Sequence, residues 1–396
     1  MNILLVTPNY PPEIGACARR VHRLAQSLQE QGHRVEVLTV LPNYPSGKFR
    51  PEDRNRWARH GIEGGIKVHR VRFWASRSGR IFLRLFSALT MSLALLYFLP
   101  RVVRFRPDWI WVQTPPWPLP FVGIFFKKLT NSRLLLNLSD LHPQALLDLG
   151  KLHPNRLYRL LTRIERWAYR RADLLVGQSE EITSYLEVNV PEKKRVLYRN
   201  GLHDSQFFSA RRAPNSVRFR WVYAGLLGAA QGLPELIESL DFQALGQELH
   251  IYGDGADRAR IAAWIARYPH CGVWLHDPVP AEAVGRTLHQ YDGALIAQKT
   301  AIRGTVPSKL YEAMAAGLPV VLLGSGESAR LLRESGAGVS VPPGNWSKLE
   351  KALRDAGEPY ALRSRRGREF AWQHFRHEIQ LQRLMAEWEK LRQGSE

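Results

Sequence analysis

Cysteine is scarce in this sequence: its 396 residues contain only two, Cys17 and Cys271. Their separation matches neither the paired spacing of a zinc or redox site nor a disulfide framework, which excludes those sites as the basis of function. The N-terminus lacks the basic start and the cleavage site of a signal peptide, and its short apolar run is typical of a buried strand. We therefore expect a cytoplasmic protein.

Acidic residues are few relative to basic ones. Thirty-six Asp and Glu residues stand against 56 Lys and Arg, which gives a formal net charge of +20. This excess favours an anionic partner, such as a phosphate group, a nucleic acid or an acidic membrane surface, and charge alone does not choose among them. The sequence also lacks low-complexity tracts, so a disordered or fibrous protein is excluded.

Apolar strands alternate with amphipathic helices along most of the chain. A strand over Asn2–Thr7 leads through a turn that contains Gly15 into a helix, Gly32 ends that helix, and a second strand follows at Val35–Val40. The same alternation restarts after Asn200. This pattern predicts an α/β protein made of two Rossmann-like, doubly wound domains.

The length of the chain also suits two domains with separate cores. We predict an N-terminal domain over residues 1–202, a C-terminal domain over 203–375 and a helix over 376–396, whose return to the first domain stays open. The predicted linker is His203–Pro214, where apolar residues are few.

A long apolar stretch runs from Leu85 to Pro100 between Arg84 and Arg101. A membrane-spanning helix needs roughly twenty apolar residues, so this stretch of about sixteen is too short. The arginines lie where anionic head groups would bind, which favours a membrane-interface segment near residues 81–128. A helix buried between two sheets is the alternative.

Several glycine turns and one helix start lie where doubly wound sheets bind phosphate groups. Backbone amides at such positions approach an anion closely, and a Glu one turn into the helix is placed to accept hydrogen bonds from ribose hydroxyls. The candidate binding residues from these motifs are Gly15, Gly225, Gly228, Gly253, Asp254, Gly255, Ser308, Lys309 and Glu312. Each glycine taken alone is equally well explained as ordinary turn chemistry.

Two further polar residues follow a predicted strand of the N-terminal domain. Asp140 and His142 lie after the strand over Arg133–Asn137, at the edge where ligands bind in this fold. Either side chain is suited to orient or deprotonate a hydroxyl group. They are the candidate catalytic residues, with helix capping and a purely structural histidine as the alternatives.

In order along the chain, these motifs resemble those of the family 4 glycosyltransferases with the GT-B fold, particularly the bacterial branch that builds surface polysaccharides such as O-antigen, capsule or colanic acid. The resemblance rests on Pro11-Pro12-Glu13-Ile14-Gly15, Leu41–Lys48, Asp140-Leu141-His142-Pro143, Arg199-Asn200-Gly201, Tyr223-Ala224-Gly225, Gly253-Asp254-Gly255, Val306-Pro307-Ser308-Lys309 with Glu312, and Gly336-Ala337-Gly338. It implies two domains that face each other across a cleft, a donor site in the C-terminal domain and an acceptor site in the N-terminal domain. Transfer of a hexose-type sugar with retention at the anomeric carbon is also implied.

The resemblance further assigns roles to the candidate residues. The base would lie beside Gly253–Gly255, Glu312 would bind ribose, and the amides at Ser308 and Lys309 would hold the diphosphate with Gly15 and Gly225. Two positions depart from the family pattern: Gly304 stands where a second Glu is usual, and Gln231 stands near the place of a basic residue. Lys299, Arg303 and Lys309 are then the nearest cations for the leaving diphosphate, with Lys309 ranked first.

The expected partners follow from the same resemblance. They are a nucleotide sugar, with a UDP-linked N-acetylated amino or deoxy sugar as the hypothesis, a lipid-linked saccharide acceptor, and the anionic inner face of the plasma membrane. Because the sequence contains no Asp-x-Asp motif, we expect metal-independent transfer without a cofactor.

Two other classes of function compete with this interpretation. A nucleic-acid-binding protein is suggested by arginines at helical spacing, namely Arg156, Arg159, Arg163, Arg166, Arg170 and Arg171. The apolar stretch argues against it, because a nucleic-acid-binding protein does not need one. A nicotinamide-dependent oxidoreductase or epimerase is weaker still, since Gly-x-Gly-x-x-Gly is missing after the first strand.

Overall fold

The computed structural model describes residues 1–13, 15–43, 47–76, 80–202, 205–208, 217–355 and 360–393. The chain forms two compact units: unit 1 comprises Met1–Asn200 with Leu381–Glu396, and unit 2 comprises Gly201–Gln380. Most of the predicted linker His203–Pro214 lies outside the described residues, as do Ile14, Arg77 and residues 44–46 and 394–396.

Unit 1 contains a sheet of eight strands in the order β3-β4-β2-β1-β5-β6-β7-β8. The strands are β1 (Asn2–Val6), β2 (Arg34–Val40), β3 (Ala58–Glu63), β4 (Ile66–Val71), β5 (Trp109–Thr114), β6 (Arg133–Leu138), β7 (Leu174–Gly177) and β8 (Arg195–Leu197). All neighbours pair in parallel except β3, which forms an antiparallel hairpin with β4. The chain order reverses beside β1, which is where such sheets bind ligands at their carboxyl edge.

Helices cover both faces of this sheet. They are α1 (Ala16–Glu30), α2 (Ile81–Leu95), α3 (Leu99–Phe105), α4 (Leu119–Thr130), α5 (Gln144–Asp148), α6 (Arg156–Arg171) and α7 (Glu180–Asn189). Successive side chains of β1 point to opposite faces, so Ile3 and Leu5 enter one core while Leu4 and Val6 enter the other. Strands that are buried on both faces are continuously apolar, as the sequence shows.

Unit 2 contains a fully parallel sheet of six strands in the order β11-β10-β9-β12-β13-β14. The strands are β9 (Phe219–Ala224), β10 (Gln247–Tyr252), β11 (Val273–His276), β12 (Gly293–Ala297), β13 (Val320–Leu323) and β14 (Gly338–Val341). Its helices are α8 (Leu233–Ser239), α9 (Arg258–Arg267), α10 (Val284–Leu288), α11 (Ser308–Ala315), α12 (Gly326–Ser335), α13 (Trp346–Arg354) and α14 (Tyr360–His374). A last helix, α15 (His377–Gln393), begins in unit 2 and belongs to unit 1 from Leu381 onward. The prediction of two doubly wound parallel α/β domains is therefore confirmed.

The end of α15 belongs to the core of unit 1. Trp388 is buried, and its ring lies 4.8 Å from that of Trp109 in an edge-on contact. Leu381 and Leu384 join the same apolar cluster. A buried aromatic pair of this kind stabilises the association of the C-terminal helix with the first sheet.

The apolar stretch forms a longer helical segment than its composition alone predicts. Phe82–Phe105 is helical over 24 residues and is long and apolar enough to cross a membrane, with 22% of its most apolar window buried. Our expectation that it is too short is therefore wrong, because α3 continues α2 through a short 3-10 turn at Leu96–Phe98. Pro100 lies in the first turn of α3, where a missing N–H costs little.

The alternative of a fully buried helix is also excluded. Leu95, Phe98 and Val102 pack into the core of unit 1, whereas Phe82 is 76% exposed and Leu93 is 57% exposed. The segment therefore covers the sheet with one side only.

Candidate functional site

Two glycine turns of unit 2 pack against each other at the carboxyl ends of β9 and β10. The Gly225 amide donates to the Tyr252 carbonyl at 2.8 Å, and the Leu227 amide donates to the Asp254 carbonyl at 2.9 Å. A Cβ atom on Gly253 would overlap the Gly225 carbonyl oxygen, and φ at Gly253 is 155°. Only glycine allows this close approach of the two turns.

Lys309 crosses directly over the first of these turns. A Cβ atom on Gly225 would overlap the Lys309 side chain, so this glycine makes room for the lysine. Lys309 Nζ donates to Tyr223 Oη and lies 4.1 Å from the centre of that ring. Burial lowers the pKa of Lys309 to about 8, while the charge of Glu312 raises it. The structure therefore brings Gly225, Lys309 and Glu312 together as a mostly buried cationic site.

The helix that contributes Lys309 begins at Ser308, and Pro307 precedes it. Its N-cap residue, Pro307, makes no side-chain hydrogen bond to the helix, so the first amides are suited to bind an anion. Ser308 is half-buried there, and Glu312 lies one turn further along the helix. Gly304, which replaces the second Glu of the family pattern, is buried with φ at 82°.

Lys299 lies at the carboxyl end of β12, but its ammonium group pairs with Glu235. Its Nζ atom lies 3.1 Å from Glu235 Oε1, and the side chain is 53% exposed. A Cβ atom on Gly232 would lie 2.8 Å from Lys299 Cβ, which places the lysine backbone close to the loop after Gly228. Lys299 is thus less suited than Lys309 to neutralise a buried diphosphate.

Near this loop lie two buried amide oxygens that the sequence interpretation did not identify as ligand-binding groups. Gln231 Oε1 lies close to Gly228, and Gln298 follows β12 directly; within the described ranges neither oxygen has a hydrogen-bond partner. Buried polar atoms are normally paired, so an unpaired one at a binding edge is suited to a ligand. The only sequence signal was their position after a strand or a glycine turn.

An arginine binds the outer end of the second glycine turn, Gly253–Gly255. The sequence interpretation did not identify this arginine as a site residue either. Arg258 donates to the carbonyls of Gly253 and His276, and to Asp277 Oδ1 at 2.8 Å. Asp254 is exposed, and its Oδ1 accepts from the Gly255 amide at 2.8 Å. These bonds fix the shape of the turn beside which the base is expected.

Asp140 and His142 of unit 1 line one narrow cavity, with Thr114, Trp117, Phe121, Glu165 and Tyr169 among its other walls. Burial lowers the pKa of His142, and the charge of Asp140 raises it. His142 Nδ1 is buried, and no partner for it occurs in the described part of the chain. The structure thus brings the two predicted catalytic residues together and adds Glu165, which the sequence interpretation missed.

Gly15 lies in unit 1, whereas the other predicted donor-site residues lie in unit 2. It precedes α1, and a Cβ atom there would meet nothing within 4 Å. On α1 itself, the buried Arg20 donates to Gln113 Oε1 at 2.8 Å and to Ser139 Oγ at 2.9 Å. This network joins α1 to the carboxyl ends of β5 and β6, next to Asp140.

Helices α2, α4 and α6 cover one face of the unit 1 sheet. Helix α4 packs against both α2 and α6. These helices and the 3-10 turn after α2 carry many exposed large apolar residues, which we call the apolar face: Phe82, Leu85, Phe86, Leu89, Leu93, Tyr97, Phe125, Leu129, Leu157, Leu160 and Trp167. Exposed basic residues accompany them, including Arg84, Lys128, Arg159 and Arg163. Many exposed large apolar side chains on neighbouring helices are typical of an interaction site.

Within the described ranges, no group of three or more His, Cys, Asp or Glu side chains is arranged to hold a metal ion. Metal independence stays a prediction.

Two family models match successive parts of the chain. The model described as "Glycosyl transferase 4-like domain" matches residues 15–201, and "Glycosyl transferases group 1" matches residues 218–357. Among curated proteins, the putative colanic acid biosynthesis glycosyl transferase WcaI of Escherichia coli (strain K12) is 24% identical over 379 residues, or 90% of this chain and 92% of that protein.

Solved structures share the fold over nearly the whole chain. Sucrose-phosphate synthase from Thermosynechococcus elongatus aligns with a TM-score of 0.76 at 16% identity, covering 99% of both chains. HepE of Anabaena, solved in complex with UDP-glucose, aligns with a TM-score of 0.70 at 14% identity, covering 98% of this chain and 99% of that one. At these identities the likeness concerns the fold alone.

Proposed function

Because the chain is a family 4 glycosyltransferase with the GT-B fold, we propose that it transfers a hexose-type sugar from a UDP-linked donor to a lipid-linked saccharide. The proposed sugar is an N-acetylated amino or deoxy sugar, and the proposed pathway is the synthesis of a bacterial surface polysaccharide such as O-antigen or capsule. The observation that carries the donor half of the proposal is the half-buried Lys309 at the start of α11, whose side chain lies over Gly225.

We propose that the donor diphosphate binds across the start of α11. Helix amides at Ser308 and Lys309 face the phosphate oxygens, and the Lys309 ammonium neutralises the charge that develops as the nucleotide leaves. A preorganised cation in a partly buried site supplies this stabilisation without a metal ion. The UDP-glucose complex of HepE supports a nucleotide sugar and UDP as the donor nucleotide.

On the acceptor side, we propose that the sugar is transferred with retention beside Asp140 and His142. Burial keeps His142 neutral at neutral pH, so it is suited to accept a hydrogen bond from the acceptor hydroxyl. Asp140 lies in the same cavity and orients the imidazole or the acceptor. A retaining reaction of this kind does not require an enzyme base, so these residues are assigned to orientation first.

The acceptor is proposed to be lipid-linked because of the apolar face of unit 1. Large apolar side chains on α2, α4 and α6 lie among exposed arginines and lysines, which is the composition of a surface that lies in an anionic membrane interface. The basic face of α6 is thereby assigned to lipid rather than to nucleic acid. The proposed location is the inner face of the plasma membrane, where the protein is held peripherally.

Thermal unfolding with a panel of nucleotides tests the donor assignment. We expect UDP and UDP-sugars to raise the Tm more than GDP, ADP or dTDP, because a ligand that binds only the folded state stabilises it. EDTA is expected to leave this stabilisation unchanged. Stabilisation by another nucleotide alone would replace the UDP assignment, and loss of the effect in EDTA would contradict metal independence. Short RNA and DNA duplexes serve as the arm that tests nucleic-acid binding.

Replacing Glu312 with Ala is expected to weaken donor binding by about 1.5 to 3 kcal/mol, the usual loss for a hydrogen bond to a charged group. The proposed cause is the loss of the acceptor for the ribose hydroxyls. Isothermal titration with UDP measures the change. Glu334→Ala is the matched control, since Glu334 is exposed on α12 and pairs only loosely with Arg330 at 3.4 Å. Equal affinity of Glu312→Ala and wild type would remove Glu312 from the site.

A further inference from the structure

One face of β2 and β4 is apolar toward the carboxyl ends of the two strands and charged toward their amino ends. On β2, Leu38 enters a hydrophobic core, whereas Arg34 and Glu36 precede it at alternate positions. On β4, Val71 enters the same core, and Lys67 pairs directly with Glu36. Because alternate residues of a strand share one face, the three charged side chains lie on the face that is apolar further along.

Helix α3 lies beside this charged end of the face and borders a cavity of about 590 Å³ together with it. A cavity of this size accommodates a small ligand or the head group of a larger one. We call it the amino-edge pocket. Its walls include Arg34, Glu36, Lys67, Arg101, Arg104 and Phe105.

The amino-edge pocket is distant from the candidate acceptor site. Arg34 is the first residue of β2, and Val40, the last, lies about 20 Å away at the usual rise per residue. Strands β2 and β6 run in the same direction within the sheet. Asp140 and His142 follow β6 and therefore lie at the opposite edge, so the pocket is not part of the site described above.

The one acidic side chain among the described walls of the pocket is already paired. Glu36 is 3% exposed, and its Oε2 atom lies 3.0 Å from Arg101 Nε and 3.3 Å from His69 Nε2. A buried carboxylate requires such partners. Glu36 and Arg101 therefore compensate each other's charge, and Glu36 leaves no negative charge for the other cations.

Three further cations line the pocket without a counter-charge. Within the described part of the chain, no carboxylate forms an ion pair with Arg34, Lys67 or Arg104. The Arg34 guanidinium lies 5.3 Å from the centre of the Phe105 ring, which restricts its orientation. A cavity whose walls carry an excess of one charge concentrates ions of the opposite sign. The oxygens of a phosphate group accept several charge-assisted hydrogen bonds at once, so a phosphate group suits these three donors.

The position of α3 indicates where such a phosphate group comes from. This helix continues the apolar helical segment Phe82–Phe105, whose first part contributes to the apolar face. Val103 on α3 is itself 46% exposed. Basic pockets beside membrane-bound helices bind the head groups of anionic lipids. The phosphate group of such a lipid is therefore the ligand that fits both the charge of the pocket and its neighbourhood.

We propose that the amino-edge pocket binds the phosphate group of an anionic phospholipid, at a site separate from the proposed donor and acceptor sites. Arg34, Lys67 and Arg104 contact the phosphate oxygens, while Arg101 stays paired with Glu36. The choice of a lipid over a soluble phosphate rests on the proposed membrane location, whereas the recognition of a phosphate group does not.

Isothermal titration of the full-length protein with short-chain lipids tests this site. The probe is dihexanoyl phosphatidylglycerol, used below the concentration at which it forms micelles. Dihexanoyl phosphatidylcholine has the same tails and is expected to bind about tenfold more weakly, because its quaternary ammonium group meets the same cations. The double variant Lys67→Gln/Arg104→Gln is expected to bind the phosphatidylglycerol about thirtyfold more weakly, as for the loss of two contacts to an anionic head group.

Two variants separate the pocket from other sources of binding. Lys348→Gln/Lys351→Gln removes the same charge from exposed positions on α13 and is expected to keep the wild-type affinity for the lipid. Lys309→Met removes the cation of the proposed donor site and is also expected to keep it. The Tm of Lys67→Gln/Arg104→Gln is expected to stay near that of wild type, since both side chains are exposed.

The proposal is overturned if Lys67→Gln/Arg104→Gln binds the phosphatidylglycerol as tightly as wild type, or if the α13 variant loses as much affinity. An equal loss in Lys309→Met would assign the lipid phosphate to the donor site instead. Inorganic phosphate is the third ligand: if it binds as tightly as the lipid and depends on the same two cations, the lipid assignment is wrong. If the short-chain lipid binds as expected but the protein does not float with vesicles, the proposed membrane location fails and the phosphate site stands.

Discussion

Replacing Lys309 with Met is expected to lower kcat/KM for the donor by about a hundredfold to a thousandfold, the range for loss of one preorganised charge-stabilising group. Met fills much of the same volume over Gly225 but carries no charge. The fold is expected to survive, because removing a buried ammonium also removes its desolvation cost. Initial rates over a range of donor concentrations measure the change.

The dependence on pH provides a second signature of this lysine. Because burial lowers the pKa of Lys309 to about 8, its ammonium form is lost as the pH rises through that value. Donor affinity of wild type is therefore expected to fall about tenfold for each pH unit above 8, and the decline is expected to disappear in Lys309→Met. A bound diphosphate favours the charged form, so donor binding is accompanied by proton uptake in this range.

The matched control is Lys351→Met, since Lys351 is exposed on α13. It is expected to keep the wild-type rate and pH profile. A wild-type rate in Lys309→Met would show that the lysine has a structural role only, and the charge of the leaving diphosphate would then need another partner.

The glycine turns of unit 2 were predictable because their chemistry is local. A strand that ends in Gly225 or in Gly253 indicates a tight turn at the carboxyl edge of a parallel sheet. The sequence does not indicate that the two turns touch, or that Lys309 lies over the first of them. Those contacts depend on the order of β9, β10 and β12 in the sheet, which is set by tertiary packing.

Residues outside recognisable motifs were not predictable in the same way. Glu165 lies among arginines that suggest a solvated basic helix, and only the spacing of Thr162, Glu165 and Tyr169 indicates an inward face. The surroundings of Lys299 were not predictable either. Its position after a strand suggested a phosphate contact, but a surface glutamate on α8 binds its ammonium group.

The length of the apolar helix was underestimated for a local reason. The apolar stretch of the sequence ends at Pro100 because Arg101 follows it, yet the helix continues beyond both residues, since proline is compatible with the first turn of a new helical segment. The continuation to Phe105 places Val102 and Phe105 in the core. This segment is therefore anchored to the sheet at one end, while α2 carries the exposed apolar side chains.

Replacing Phe82, Leu89 and Leu93 together with Ser is expected to release the protein from vesicles of phosphatidylethanolamine and phosphatidylglycerol. All three side chains are largely exposed on α2, so their loss leaves the core of unit 1 unchanged. Transferring about half of each side chain into the interface is worth roughly 1 kcal/mol, so the variant is expected to bind about a hundredfold more weakly. Flotation of vesicles with the full-length protein measures this partition.

Two comparisons decide what the loss of vesicle binding means. Val188→Ser removes an apolar side chain that is 79% exposed on α7, outside the apolar face, and is expected to leave vesicle binding unchanged. Leu95→Ser changes a fully buried residue of α2 and is expected to lower the Tm by creating an unsatisfied buried hydroxyl.

Vesicle binding that persists in the triple variant with an unchanged Tm would contradict the membrane role of α2, and the basic residues of α6 would then be the next surface to test. Binding that is lost together with the Tm would show that these side chains support the fold, because a surface contact with lipid does not stabilise the free protein.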